Sequence, residues 1–185
     1  MTTMDKGQQQ MIDSPMRQLF QSYYEFGVIR RQLRRSQIQL QGKAVLDAGC
    51  ASGYSTQVIA RMFRPASLYA FDLMPEQIER ARQRGVEANF FVGDIATMEL
   101  PDAQFDAAFT FGVFHHVPVW TEAVAEVYRV LKPGGVLVGG EMRRTKDGAF
   151  TWAQFAQDLA AAGFHMRQSQ GIYFGYFVSF VCQRV

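Results

Sequence analysis

The chain has 185 residues, 48% of them hydrophobic and 19% charged, with a formal net charge of +2. That length suits one domain with a sizeable core, and the composition excludes a disordered chain. A charge so near balance does not by itself imply a nucleic-acid or membrane partner.

Residues 1–14 are polar and read as a frayed start with no apolar core, so they do not form a secretory signal. From Pro15 to about Gln41, apolar residues recur at helical spacing (Leu19, Tyr23, Phe26, Leu33), which predicts one or two amphipathic helices. Strand-like runs follow at 44–46, 68–71, 89–92, 105–111 and 136–138, with helix-like runs at 55–63, 75–84 and 120–131 between them. Lys132-Pro133-Gly134-Gly135 stops the last of these helices and turns the chain into the fifth strand. Thr151 and Gln154 have the spacing of a capping box, so a helix starts there and ends near Gly163. The remaining tail reads as two strands broken around residues 171–175. Strands alternating with helices predict an α/β fold whose parallel sheet is covered on both faces. In such sheets, ligands bind at the carboxyl ends of the strands where strand order reverses.

Cys50 and Cys182 lack metal-ligand spacing, which points to a reduced compartment, no disulfide framework and no metal site. No apolar run is long enough to span a bilayer. The expected location is cytoplasmic.

The richest stretch is Val45-Leu46-Asp47-Ala48-Gly49-Cys50-Ala51-Ser52-Gly53-Tyr54-Ser55-Thr56. An apolar strand ends in an acid, a loop of small residues follows, and a helix begins. Small residues let a ligand approach the backbone. The acid suits an ammonium group better than a phosphate. This stretch resembles motif I of the class I S-adenosylmethionine-dependent methyltransferases, with Ala51 where the family usually has its second glycine. Three further stretches strengthen the resemblance in the right order: Asp72-Leu73-Met74-Pro75-Glu76, Phe105–Phe111 running on into Gly112-Val113-Phe114-His115-His116-Val117, and Glu126-Val127-Tyr128-Arg129-Val130-Leu131-Lys132-Pro133-Gly134-Gly135.

The resemblance implies a Rossmann-like, doubly wound, mostly parallel sheet of seven strands with the last antiparallel. It divides the single domain into an N-terminal helical lid (1–41), a cofactor-binding core (42–141) and a C-terminal helix and hairpin (142–185). It also implies S-adenosyl-L-methionine as cofactor and a small-molecule acceptor from which the methyl is displaced in line. Asp47 would meet the methionine amine, directly or through water; the other reading has it accept the loop's own N–H groups. Gly49, Cys50, Ala51 and Gly53 would lie against the methionyl and ribose parts, or simply form a tight turn. Asp72 would accept the ribose hydroxyls, or serve the helix opened by Pro75. Leu73 and Met74 would cover the adenine, Asp94 would take its exocyclic amine with Ile95 packed on the ring, and Phe111 would end the fourth strand beside the cofactor.

No triad or metal constellation is visible. His115 and His116 are candidate bases, with loop-holding as the alternative, and Tyr24 is a third candidate. Arg30, Arg31, Arg34 and Arg35 form a basic helix face that either grips an anion or lipid headgroup or is solvated. Trp120, Trp152, Tyr173 and Phe174 read as packing. The run after the fourth strand lacks the Asn- or Asp-Pro-Pro-aromatic pattern of enzymes that methylate amino groups of DNA bases, so no nucleic-acid partner is expected. The oligomeric state is open. The alternatives are a non-catalytic binding or regulatory protein of the same fold and an NAD(P)-dependent oxidoreductase, which the spacing Gly49-Cys50-Ala51-Ser52-Gly53 disfavours.

Overall fold

A computed structural model describes residues 24–185. The expectations for residues 1–23, including a frayed start, much of the lid and the aromatics Phe20 and Tyr23, lie outside them. The chain order is α1 (Phe26–Arg35), β1 (Ala44–Ala48), α2 (Tyr54–Phe63), β2 (Ser67–Asp72), α3 (Pro75–Arg82), β3 (Asn89–Val92) and β4 (Phe105–Phe111). A 3-10 turn (Phe114–His116) leads to α4 (Trp120–Val130), β5 (Leu131–Met142), α5 (Trp152–Ala161) and β6 (Phe164–Ile172). A second 3-10 turn (Tyr173–Gly175) joins β6 to β7 (Phe177–Arg184).

The seven strands form one sheet in the order β3-β2-β1-β4-β5-β7-β6. The first five are parallel to one another, and β7 runs antiparallel to both β5 and β6. Strand order reverses between β1 and β4, which sets the crevice of the doubly wound fold there. Period-2 alternation sorts the side chains onto two faces. Val45, Ala107, Phe109 and Val138 pack with Phe26, Ile29 and Ile59 of α1 and α2. Leu46, Ala108, Phe105 and Leu137 pack with Val124, Val127 and Phe155 of α4 and α5. Burial on both faces explains why these strands read as continuous apolar runs.

Several boundaries move. Pro75 opens α3, and the helix ends two residues before the expected 84. The Lys-Pro-Gly-Gly turn is absorbed into β5: Leu131 pairs with Phe105 and Val136 with Ala107, leaving a bulge. Only half of the capping box forms. Thr151 Oγ1 accepts the Gln154 N–H at 3.3 Å, but the Gln154 amide bonds Asp158 at 3.0 Å instead of reaching back. Asp158 also accepts the Trp120 indole N–H at 2.8 Å, so this carboxylate links α4 to α5 and draws Gln154 forward.

The Glu126–Arg129 pair of α4 organises the connection from β3 to β4. Arg129 bonds Glu126, Asp102 and the carbonyls of Met98 and Leu100 at 2.6–2.9 Å, while Glu126 accepts the Met98 N–H at 2.7 Å. The guanidinium beside Glu126 holds its carboxyl below the usual range. Charge-assisted bonds of this kind immobilise a stretch with little regular structure of its own.

Candidate active site

The loops after β1, β2, β3 and β4 converge on the carboxyl edge of the sheet, where the crevice lies. Asp47 is the last polar group of β1 and is 0% exposed. Its Oδ2 accepts the Ser55 hydroxyl at 2.8 Å and the Thr56 hydroxyl at 2.6 Å, both from the first turn of α2. Its Oδ1 is buried and accepts no hydrogen bond from the described residues. Burial pushes the carboxyl up to about 6, opposed by the two hydroxyls and reinforced by the charge of Asp72. An orphaned acceptor of this kind is costly without a partner and suits a cation or donor brought to the loop.

Four of the loop N–H groups are taken up within the protein. Those of Gly49 and Cys50 both donate to the Phe71 carbonyl at 2.9 Å, that of Gly53 donates to Cys50 at 2.9 Å, and that of Ala51 donates to Asp72 Oδ2 at 2.9 Å. A pyrophosphate cradle needs several such groups aimed outward. Asp47 itself accepts hydroxyls rather than the loop's amides. The two glycines make room for neighbouring parts of the chain. A Cβ at Gly49 would stand 2.6 Å from Val113, which follows β4, and one at Gly53 would stand 2.8 Å from Ala81 of α3. Both have positive φ, at +76° and +79°.

Ala51 shares that left-handed conformation, with φ 46°. An L-residue there carries about 1 kcal/mol of strain that glycine does not. Ala51→Gly is therefore expected to stabilise the protein by up to about 1 kcal/mol in urea unfolding, offset in part by the greater freedom of the unfolded chain.

Asp72 ends β2 and ties two loops together. Oδ2 holds Ala51, and Oδ1 accepts the Met74 N–H at 3.0 Å, so Asp72 caps the approach to α3 where Met74 cannot. Burial pushes its carboxyl up, against the pull of these N–H bonds. Each oxygen keeps a lone pair for a ligand. Leu73 is 43% exposed beside it. After β3, Asp94 Oδ1 accepts the Ala96 N–H at 2.9 Å. Ile95 turns inward and packs in the core with Phe71 and Met98. The Cys50 side chain is buried with Ala70 and Ile78, and burial raises its thiol strongly. Phe111 lies against Phe26 and Phe109 on the α1 face.

The two histidines follow β4 with ring centroids 4.0 Å apart. His115 Nδ1 meets Glu141 Oε1 in a short contact. Glu141, 1% exposed at the end of β5, also accepts the Phe114 N–H at 2.9 Å and the Met142 N–H at 2.8 Å. Burial, with His115 alongside, lowers the proton affinity of His116. Tyr24 packs against Tyr173 of the turn between β6 and β7, with ring centroids 5.4 Å apart.

Glu141 and Arg84 were not singled out from the sequence. Glu141 leaves a signal, an acid ending an apolar strand. Arg84 leaves none: it reaches back to the Ser52 carbonyl and hydroxyl and lies over the Tyr54 ring, closing the far end of the loop. Trp120 and Trp152 pack as expected. Phe174 does not pack, because the turn that carries it leaves its ring fully exposed.

The methyltransferase domain family matches residues 46–139, from β1 through the bulged start and middle of β5. The chain belongs to the class I S-adenosylmethionine-dependent methyltransferases. It is 39% identical over 99 residues to a malonyl-[acyl-carrier protein] O-methyltransferase of Serratia marcescens, covering 52% of this chain and 37% of that protein. It is 35% identical over 116 residues to a fatty-acid O-methyltransferase of Mycolicibacterium smegmatis, covering 60% of this chain and 42% of that one. The chain thus spans well under half the length of these two relatives. Among solved structures, a methyltransferase from Aquifex aeolicus superposes with TM-score 0.83 at 18% identity, over 99% of this chain and 100% of that one. The [4+2]-cyclase SpnF superposes with TM-score 0.73 at 18% identity, over 85% of this chain and 79% of that one. Both likenesses concern the fold, and a fold hosts more than one chemistry.

Proposed function

We propose that this methyltransferase domain binds S-adenosyl-L-methionine across the β1–β4 crevice and transfers its methyl to a small-molecule acceptor. The observation that carries the reading is the acidic pair at the loop. Asp47 holds a buried carboxylate oxygen with no partner among the described residues, and Asp72 stands across the loop at 2.9 Å from the Ala51 N–H. That arrangement favours an ammonium and vicinal hydroxyls, and its two carboxylates oppose a pyrophosphate. When bound, the cofactor supplies an electrophilic methyl on a sulfonium, with a neutral thioether as leaving group.

The residues divide the work by position. Asp47, fully covered, acts through its charge and through the helix start it anchors. Asp72 receives the ribose hydroxyls while holding both loops, and Leu73 and Met74 line the adenine side. Asp94 offers its second oxygen to the exocyclic amine. Glu141 fixes His115 and the Phe114 backbone, which sets the wall nearest the acceptor. Holding nucleophile and methyl in line is worth several kcal/mol, so no triad is required. Where the acceptor carries a tightly held proton, the histidine pair is the nearest base. Methyl transfer to acyl compounds by the two relatives above supports a small organic acceptor.

Calorimetric titration tests the cofactor. S-adenosylmethionine and its demethylated product are expected to bind, and NAD to give no heat. Saturation by NAD, or no binding of either nucleoside, would overturn the reading.

A further inference from the structure

The β6–β7 connection builds an exposed aromatic tip. Tyr173 and Phe174 both adopt positive φ, 50° and 55°, a region that bulky L-residues rarely enter. The conformation is nonetheless held firmly. Arg143 donates its Nε–H to the Gly175 carbonyl at 2.7 Å and its backbone N–H to Tyr176 at 2.8 Å, and the Tyr173 hydroxyl bonds Glu25 at 2.8 Å. The result of this strained but pinned turn is that Phe174 is 106% exposed and Tyr176 74% exposed, with Tyr24 at 43% beside them. Backbone strain spent on placing an aromatic ring in water stabilises nothing in the isolated chain.

The tip stands at a defined place. Met142 pairs with Phe177, so the turn caps the carboxyl end of β5, the same edge that carries the candidate site. The Phe177 ring would lie 3.9 Å from a Cβ at Gly112, the residue after β4. The surroundings are cationic. Arg143, Arg144 and Lys146 are exposed on the loop that leaves β5. Asp147 is the one acid among these three cations, held by the Thr145 hydroxyl at 2.6 Å and the Ala149 N–H at 3.0 Å, so the loop keeps a net positive charge, and Glu25 at the tip accepts the Tyr173 hydroxyl.

We infer that this edge docks on an anionic lipid surface, with Phe174 and Tyr176 entering the headgroup region and the Arg143–Lys146 loop resting on the lipid charges. Aromatic rings favour the interface between water and hydrocarbon, and neighbouring cations favour anionic headgroups. A protein partner of the same chemistry would need acidic and apolar groups matched to one rigid turn, whereas a bilayer surface supplies both without a matching shape. Docking would turn the mouth of the crevice toward molecules held in the membrane. The inference rests on the tip and its charges, not on the cofactor assignment.

Flotation with vesicles tests it. The full chain is expected to bind vesicles of phosphatidylcholine mixed with phosphatidylglycerol and to stay free of pure phosphatidylcholine, with binding lost at high salt. Phe174→Ser with Tyr176→Ser, and separately Arg144→Glu with Lys146→Glu, are expected to weaken binding about tenfold or more while thermal unfolding is unchanged. These side chains project into solvent, so their loss leaves no cavity. Failure to bind the mixed vesicles, or equal binding by the variants, overturns the inference. So does a dimer in light scattering that Phe174→Ser dissolves, since a second copy would then be what covers the tip. S-adenosylmethionine titration of the Phe174→Ser, Tyr176→Ser protein is expected to be unchanged, which separates this result from the fate of the cofactor assignment.

Discussion

Replacing Asp72 with alanine is expected to lower the affinity for S-adenosylmethionine by about a hundredfold or more, read by calorimetry. Charge-assisted hydrogen bonds contribute roughly 1.5–3 kcal/mol each. Asp72 would lose its contacts to the ribose and also its hold on Ala51 and Met74, at 2.9 and 3.0 Å. The two effects separate by measurement. Loss of the two N–H bonds alone would lower stability in urea and leave the loop loosely placed. Loss of the ligand contacts alone would leave unfolding unchanged. Asp72→Asn divides them: its amide oxygen can still accept one N–H, while the second position presents a donor to the sugar. Asp72→Asn keeps one of the two N–H bonds and sets its NH2 against the other donor, so its unfolding is expected between that of the parent and that of Asp72→Ala, with affinity as low as in Asp72→Ala. Parent-like affinity in both variants would place the sugar elsewhere.

The second large effect concerns Asp47 and depends on pH. Its carboxyl is pushed up to about 6 from an ordinary 3.8, chiefly by burial. The folded protein therefore binds the proton more tightly than the unfolded chain does. The stability this contributes is complete below pH 3.8, declines as pH rises, and is gone above about 6. The ionised form at neutral pH thus costs about 3 kcal/mol relative to the protonated one. Asp47→Asn has no proton to lose. The stability difference between the variant and the parent is expected to grow in favour of the variant by up to about 3 kcal/mol between pH 4 and pH 7. Comparing two pH values cancels the constant cost of burying the amide. Urea unfolding at several pH values checks this; parallel curves for the two proteins would mean that the carboxyl titrates normally. Affinity for the cationic cofactor is expected to fall in the same variant. A destabilising ionised carboxylate at the end of β1 is then understandable as a residue kept for the ligand, as active-site groups often are.

Much of the architecture could be read in advance. Apolar runs ending in Asp47, Asp72 and Asp94 marked three strand ends, because side chains alternate locally and small or acidic residues punctuate strands wherever they occur. Pro75 announced the start of a helix, and Thr151 half of a capping box. These signals are carried by neighbours in sequence, within reach of backbone sterics and short hydrogen bonds. The motif around Asp47 likewise needed only its own twelve residues to suggest the cofactor class.

Other features arose when distant segments met. Glu141 comes to His115 across 26 positions because β5 lies beside β4, and Arg84 closes on Ser52 across 32 because α3 packs against the loop. Gly49 and Gly53 are demanded by Val113 and Ala81, whose approach depends on strand order and helix placement. Asp47 has an orphaned oxygen and a raised carboxyl only because the whole sheet and α2 cover it. Phe174 looked like one more core aromatic until a left-handed turn aimed it at solvent. Burial and partnership belong to the assembled sheet: local chemistry names the groups, and the crossing of strands sets which of them water can reach.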